Sequence, residues 1–170
     1  MPFWKKLFST FCIVLLWGCG YQMVGRETHV PSGLTSVAIP TFINQTFEPG
    51  IEVLLTQAFL KGFIQDRRVK VVDRKEAESV LEGLIKSLEI SSVSYDRSGL
   101  ALEYQMNVIM DLMLKKRSGE ILWREKNLVE MTWYRASSNA LINEGNKTAA
   151  LQQAGRSMAE RIRNRFFSDF

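Results

Sequence analysis

The chain has 170 residues, of which 22 are lysine or arginine and 18 are aspartate or glutamate, so its formal net charge at pH 7 is +4. This small excess of positive charge argues against nucleic acid as a partner, because nucleic-acid-binding domains usually carry a concentrated basic surface. One histidine and two cysteines are too few to predict a metal site built from those side chains.

The amino terminus has the composition of an export signal. Two lysines, Lys5 and Lys6, precede the uncharged segment 7–17, and a small residue follows. This three-part pattern is typical of a secretory signal peptide, whereas a membrane-spanning helix needs about 20 apolar residues. An amphipathic cytosolic helix is disfavoured because the segment is apolar on every face. We therefore predict a signal peptide over residues 1–18.

Residues 16–19, Leu-Trp-Gly-Cys, resemble the bacterial lipobox. The resemblance implies cleavage before Cys19, a diacylglycerol on its thiol and an acyl chain on its new amine. Several acyl chains give a stable membrane anchor where one gives only marginal binding. The only other cysteine, Cys12, lies in the segment to be removed and leaves no disulfide partner. Gly20, in place of aspartate, implies sorting to the outer membrane, and we expect no cofactor beyond this lipid.

The first part of the mature chain contains a tether, a strand and a helix. Residues 19–33 are polar and lack periodicity, which predicts a lipidated tether before a single domain over 34–170. An apolar strand at 36–39 and a connecting loop at 42–46 follow. Apolar residues then recur at spacings of three and four, which predicts an amphipathic helix that begins near Pro49. These residues are Ile51, Leu54, Leu55, Ala58, Phe59, Gly62 and Phe63.

The second part predicts a meander of long strands. A short strand at 69–72 is followed from Val80 by an alternating pattern with period two. It is clearest at Leu102, Tyr104, Met106, Val108, Met110, Leu112 and Leu114. A third long strand spans 121–133, where Ile121, Trp123, Val129, Met131 and Trp133 are predicted to share a side. Glu125 and Asn127 interrupt that side, which predicts a bulge or an edge position.

A second amphipathic helix ends the chain, with an apolar face at Leu151, Ala154, Met158, Ile162 and Phe166. Two helices that cover one face of a sheet form a two-layer α/β sandwich. We therefore predict an α+β fold in which two amphipathic helices pack on one face of a mostly antiparallel sheet of four to five strands.

The inventory of reactive side chains argues against catalysis. The single histidine, His29, lies in the predicted tether, so a nucleophile would have no well-placed base. Carboxylate pairs such as Glu76 with Glu78, or Glu48 with Glu52, are expected to be ordinary solvated residues of a loop or of the first turn of a helix. We predict that the protein is not an enzyme and has no metal site. An envelope hydrolase that uses acidic residues remains an alternative.

The order of several short motifs suggests a family. The motifs are Cys19-Gly20-Tyr21, Val37-Ala38-Ile39-Pro40, Phe42-Ile43-Asn44-Gln45-Thr46, Gly50-Ile51-Glu52 and Glu103-Tyr104-Gln105-Met106. Together they resemble the lipopolysaccharide-assembly lipoprotein family LptE, also called RlpB, over nearly all of residues 19–167. The resemblance implies two helices on a four-stranded sheet. It also implies a lipid-anchored outer-membrane protein that lies, one to one, in the lumen of the LptD β-barrel, supports its assembly as a plug and binds lipopolysaccharide.

The resemblance also implies a binding residue. A basic residue at the hairpin turn ahead of the Glu-Tyr-Gln-Met motif is associated with lipopolysaccharide binding in the family, and Arg97 occupies that place. The alternative is that Arg97 only solvates the turn. The meander topology returns Arg135 to the same end. Lys147, expected before the second helix, is a third candidate for donating hydrogen bonds to phosphate. The basic cluster 115–117 is expected at the opposite end.

One rival interpretation has a different partner. The strand, Asn-x-Thr loop and helix at 37–63 are also similar to domains of curli-export-type lipoproteins and periplasmic translocation proteins. Such a protein would form its own oligomer or act as a docking domain. The absence of a long amphipathic insertion argues against a pore-forming version.

Overall fold

The computed structural model describes residues 34–66 and 68–168. The predicted signal peptide, the lipidation site Cys19 and the tether with His29 lie outside these residues. No helix among the described residues is long and apolar enough to cross a membrane.

A six-stranded mixed sheet forms one layer. Three short strands, β1 (Ser36–Ala38), β2 (Ile43–Asn44) and β3 (Lys70–Val71), run parallel to their neighbours. Three long strands form the antiparallel meander: β4 (Ser79–Tyr95), β5 (Ala101–Lys116) and β6 (Ile121–Arg135). The order is β3-β1-β4-β5-β6, with β2 also paired to β4. The α+β class is confirmed, but the sheet has more strands and more parallel pairing than the sequence predicted.

The additional strand comes from a segment predicted to be a connecting loop. Ile43 and Asn44 pair with Leu84 and Ile85 of β4. The Asn44 side chain then organises the following turn, because its Oδ1 accepts a hydrogen bond from the Thr46 backbone N–H at 2.8 Å. Its Nδ2 donates to a Glu52 carboxylate oxygen at 2.8 Å. The Asn-x-Thr motif therefore connects β2 to the helix that follows.

Two helices form the second layer, α1 (Ile51–Asp66) and α2 (Ala140–Ser168). They run parallel, as shown by the close approach of Gly62 to Ala159 and of Gly155 to Ala58. A Cβ atom at Gly155 would lie only 2.8 Å from the Ala58 Cβ, so the contact requires glycine. Both helices cover the same sheet face, where the predicted alternation on β5 buries Met106, Val108, Met110, Leu112 and Leu114.

Helix α2 is longer than predicted. Its start is capped by Asn139, whose Oδ1 accepts hydrogen bonds from the backbone N–H groups of Leu141 and Ile142. The prediction that Lys147 precedes the helix is wrong, since Lys147 lies about two turns inside it. The apolar periodicity missed these turns because Leu141 and Ile142 face solvent, with exposed fractions of 84% and 55%.

A bulge in β6 reverses which residues face the helices. The register with β5 shifts between the pairs Met110 with Leu128 and Leu112 with Glu125, and Asn127 has a φ of 53°. The predicted bulge and edge position are confirmed, but the predicted shared side is wrong. Trp123 packs toward the helices, whereas Val129, Met131 and Trp133 lie on the opposite face and are about half exposed.

Candidate functional site

The candidate binding residues Arg97 and Arg135 lie at the same end of the sheet. Arg97 is in the turn that joins β4 to β5, just beyond the pair formed by Tyr95 and Ala101. Arg135 is the last residue of β6 and pairs with Glu103, close to the same turn. Both arginines are exposed. We call this part of the molecule the Arg97 end.

The turn that carries Arg97 is held by Asp96. The Asp96 Oδ1 accepts hydrogen bonds from the Ser98 hydroxyl at 2.6 Å, the Ser98 backbone N–H at 2.8 Å and the Leu100 backbone N–H at 2.9 Å. The hydrogen bond from the Ser98 side chain is the main cause that lowers the pKa of Asp96, followed by the bond from Leu100. Gly99 has a φ of +83°, which favours glycine at that position. The turn backbone is therefore fixed, while the Arg97 side chain forms no ion pair among the described residues.

Lys147 lies near Arg135 but is already paired. The Asn146 side chain donates a hydrogen bond to the Arg135 carbonyl oxygen at 2.9 Å, which brings this part of α2 to the end of β6. The Lys147 ammonium lies 2.7 Å from a Glu48 carboxylate oxygen and 3.0 Å from one of Glu144. Burial acts to lower the pKa of Lys147, but the hydrogen bonds to Glu48 and Glu144 outweigh it and raise the pKa. Its positive charge is thus balanced within the fold.

Exposed apolar side chains surround the two arginines, a feature that the sequence reasoning missed. Tyr95, Leu100 and Leu102 flank the β4–β5 turn, with exposed fractions of 58%, 65% and 52%. Leu102 was predicted to be buried by the alternation of β5. Leu102 lies at a register shift, between the pairs Ser94 with Glu103 and Tyr95 with Ala101, and the helix layer leaves it exposed. Cations beside apolar surface are suited to an anionic amphiphile.

The basic cluster 115–117 lies at the other end of the meander, as its position in the second turn predicted. Lys115 forms an ion pair with Glu82 at 2.7 Å, and Lys116 pairs with Glu120 at 2.8 Å. At about 3.3 Å per residue, the length of β5 separates this cluster from Arg97 by roughly 50 Å. The two basic groups therefore do not form one site.

The part of the chain that the structure describes contains no candidate metal centre. Within residues 34–66 and 68–168, no group of three or more histidine, cysteine, aspartate or glutamate side chains is placed to hold a metal ion. The lysine and arginine side chains discussed above are instead engaged with carboxylates or exposed to solvent.

The structure is a two-layer α+β domain. Its Arg97 end carries exposed arginines beside exposed apolar side chains. The family model for LptE, described as lipopolysaccharide-assembly, matches residues 34–166. The chain therefore belongs to the LptE lipopolysaccharide-assembly family, which confirms the resemblance read from the motifs. No curated protein matches the chain in sequence.

Solved structures share the fold at low sequence identity. Rare lipoprotein B from Shewanella oneidensis is 18% identical, with a TM-score of 0.51 over 75% of this chain and 94% of that one. A Caulobacter crescentus CB15 protein is 13% identical, with a TM-score of 0.55 over 81% and 92%. A Chlamydia trachomatis protein is 8% identical, with a TM-score of 0.52 over 78% and 98%. At these identities the likeness is one of fold.

Proposed function

We propose that this chain is a non-catalytic outer-membrane lipoprotein, held by lipid on Cys19, that lies one to one in the lumen of the LptD β-barrel. In this role it supports barrel assembly, acts as a plug and binds lipopolysaccharide during insertion into the outer leaflet. The observation that carries the proposal is the family match over residues 34–166, which spans nearly the whole described domain.

The proposed lipopolysaccharide-binding residues are Arg97 and Arg135, with a secondary contribution from Lys147. The two exposed guanidinium groups can donate charge-assisted hydrogen bonds to phosphate oxygens. Glu48 and Glu144 engage two of the three N–H donors of Lys147, so a phosphate gains most from Lys147 where it displaces a carboxylate. Glu144 is the easier one to displace, because its side chain is 60% exposed whereas that of Glu48 is 24% exposed.

The apolar surface at the Arg97 end supports a lipid-bearing ligand over a simple anion. Tyr95, Leu100 and Leu102 lie next to the same turn as Arg97 and are more than half exposed. An amphiphile that contacts them removes apolar surface from water, at about 25 cal/mol per Å². A free phosphate or sulfate gains nothing from these side chains.

A charge-reversal pair tests this function. We expect the double variant Arg97→Asp and Arg135→Asp to weaken lipopolysaccharide binding by at least about tenfold, because attractive charge contacts become repulsive. The matched control is Lys75→Asp with Arg117→Asp, which makes the same change of charge at exposed positions away from the Arg97 end. Binding is measured by titration into purified protein, and circular dichroism checks that each variant is folded.

Two results would contradict the proposal. Equal loss of affinity in both double variants would mean that net charge, and not the Arg97 end, governs binding. Purification from solubilised outer membranes as a homo-oligomer or alone, without a large barrel protein, would contradict the one-to-one plug and support the curli-export-type alternative.

A further inference from the structure

One half of the open sheet face is lined by four polar side chains beside Trp133 and Met131, which are both about half exposed. The strand register aligns Ser91, Gln105 and Trp133 in one row across β4, β5 and β6, and Glu89, Asn107 and Met131 in the next. We call these six residues the open polar face. It lies opposite the helices, because the alternating neighbours Met106 and Tyr134 are buried in the core.

The open polar face has unused hydrogen-bonding capacity. Among residues 34–66 and 68–168, the side chains of Glu89, Ser91 and Gln105 form no hydrogen bond with another described residue. The Asn107 Oδ1 is buried and also lacks a partner. Of these groups, the side chains of Glu89, Ser91 and Gln105 reach the surface and can bond to a ligand.

The other half of the same sheet face differs, because its polar groups are satisfied within the fold. The Asp111 carboxylate accepts a hydrogen bond from the Asn127 backbone N–H at 2.7 Å, and Lys86 donates to the Asn127 side chain at 2.6 Å. Lys115 pairs with Glu82 at 2.7 Å. The free capacity is thus confined to the half nearer the Arg97 end.

The aromatic side chain gives the open polar face a stacking surface. Trp133 is 51% exposed and pairs directly with Gln105 across β5 and β6. A pyranose ring has apolar C–H groups on its faces and hydroxyl groups around its rim. The indole can stack on the ring face. The amides of Gln105 and Asn107 can donate hydrogen bonds to the hydroxyl groups, and the Glu89 carboxylate can accept them.

The composition and charge of this surface fit a neutral sugar chain better than a protein or a polyanion. Protein interfaces are enriched in tryptophan and methionine, which are present here as Trp133 and Met131, but are depleted in serine and glutamate, which are present as Ser91 and Glu89. The charged groups on this half of the face are Glu89, Glu103 and Arg135, which provide no excess of positive charge for a row of phosphates. Arg135 and Arg97 lie at its edge, where a single phosphate-bearing end could bind.

We propose that the open polar face binds an oligosaccharide of neutral sugar rings, with Trp133 stacked on one ring and with Gln105 and Asn107 bonded to its hydroxyl groups. This rests on the proposed function for the source of the sugar, which is the neutral hexose part of the core oligosaccharide of lipopolysaccharide. The phosphate-bearing end of the same ligand then lies toward Arg97 and Arg135.

Calorimetric titration of the full chain with separate parts of the ligand tests this proposal. The probes are core oligosaccharide released from lipid A by mild acid hydrolysis of the ketosidic bond, lipid A without core, and intact lipopolysaccharide. We expect Trp133→Ala to weaken core oligosaccharide binding by about tenfold, the effect of losing one ring-sized contact. Trp133→Phe keeps a stacking ring and should stay within about threefold. The control Ile64→Ala removes an exposed apolar side chain near the end of α1, away from the Arg97 end, and should change nothing.

Each outcome separates this proposal from the proposed function. Loss of core oligosaccharide affinity in Trp133→Ala, with unchanged lipid A affinity, supports it. Binding of intact lipopolysaccharide without measurable binding of the core oligosaccharide overturns it and leaves the proposed function standing. Unchanged sugar affinity in Trp133→Ala together with lost barrel co-purification overturns it in favour of a protein contact. Failure of all three probes to bind contradicts both.

Discussion

The two ends of strand β5 carry the same alternating pattern but have opposite environments. Met110, Leu112 and Leu114 have exposed fractions of 0% to 1%, whereas Leu102, in the same sequence pattern but at a register shift, is 52% exposed. Alternation decides which face a side chain joins, but only a second layer buries it. The difference shows that apolar residues of one pattern can be core at one end and exposed surface at the other.

The positions of the helices explain where the side chains of β5 change from buried to exposed. The start of α2 and the loop before α1 meet near the Arg97 end, where Lys147 binds Glu48. At the far ends of the two helices, Arg163 Nε lies 3.1 Å from Asp66 Oδ2. Both helices therefore begin near the Arg97 end and run away from it. The strands extend past the helix starts, which leaves the end of the β4–β5 hairpin open on both faces.

The sharpest test of this difference is a pair of truncations on β5. We expect Leu112→Ala to lower the free energy of unfolding by about 2–5 kcal/mol, since it leaves a cavity in a covered core. Leu102→Ala should change it by less than about 0.5 kcal/mol, because the side chain already contacts solvent. Urea denaturation of both variants measures the contrast. Similar losses in the two variants would show that the Arg97 end is covered in solution.

A second comparison uses one substitution at two positions of α2. Gly155→Ala places a methyl group 2.8 Å from the Ala58 Cβ and should destabilise the fold by about 1–3 kcal/mol. Gly145→Ala meets no atom within 4 Å and should stabilise it by about 0.5–1 kcal/mol, because alanine is the better helix former. Thermal unfolding of the two variants measures whether each substitution raises or lowers stability. A stabilising Gly155→Ala would mean that the helices are not in close contact there.

Two aspartates with lowered pKa values provide a third comparison. The hydrogen bond from Arg68 is the main cause that lowers the pKa of Asp66, whose side chain is 7% exposed at the end of α1. Asp96 is fully exposed in the turn of the Arg97 end. We expect Asp66→Asn to lower the free energy of unfolding by about 1–3 kcal/mol at neutral pH. Asp96→Asn should leave global stability nearly unchanged.

The pH dependence of the Asp66 effect has a defined sign. A lowered folded-state pKa means that the ionised carboxylate contributes stability above the unfolded pKa, and that this contribution is lost as pH falls through the folded value. The stability difference between wild type and Asp66→Asn should therefore be constant above about pH 5 and shrink below about pH 4. A difference that grows in acid would exclude the Arg68 contact as its source.

The sequence predicted much of the fold because most of its elements bury an apolar face. Spacings of three and four predicted α1, and period two predicted β5. The start of α2 was missed because its first turns bury little and depend on the Asn139 cap. The reversal of sides in β6 was missed because a bulge at Asn127 shifts every later side chain to the other face, which periodicity cannot locate.

The sequence predicted which end of the sheet carries the candidate binding residues, but not which side chains surround them. Hairpin geometry alone brings Arg97 and Arg135 to one end, and the strand register agrees. The pairing of Lys147 with Glu48 joins residues 99 positions apart, so no local pattern could indicate it. Period two predicted that Gln105 and Asn107 lie on the outer face of β5, but the alignment of Gln105 with Trp133 depends on the register beyond the bulge.

Photocrosslinking in intact outer membranes tests most directly whether the Arg97 end is the lipopolysaccharide-binding end. A photoreactive amino acid is placed at Leu100, at Arg135 and, as the control, at Arg117 in the opposite turn. The account predicts lipopolysaccharide adducts at Leu100 and Arg135 and none at Arg117. Adducts only at Arg117, or equally at all three positions, would contradict it.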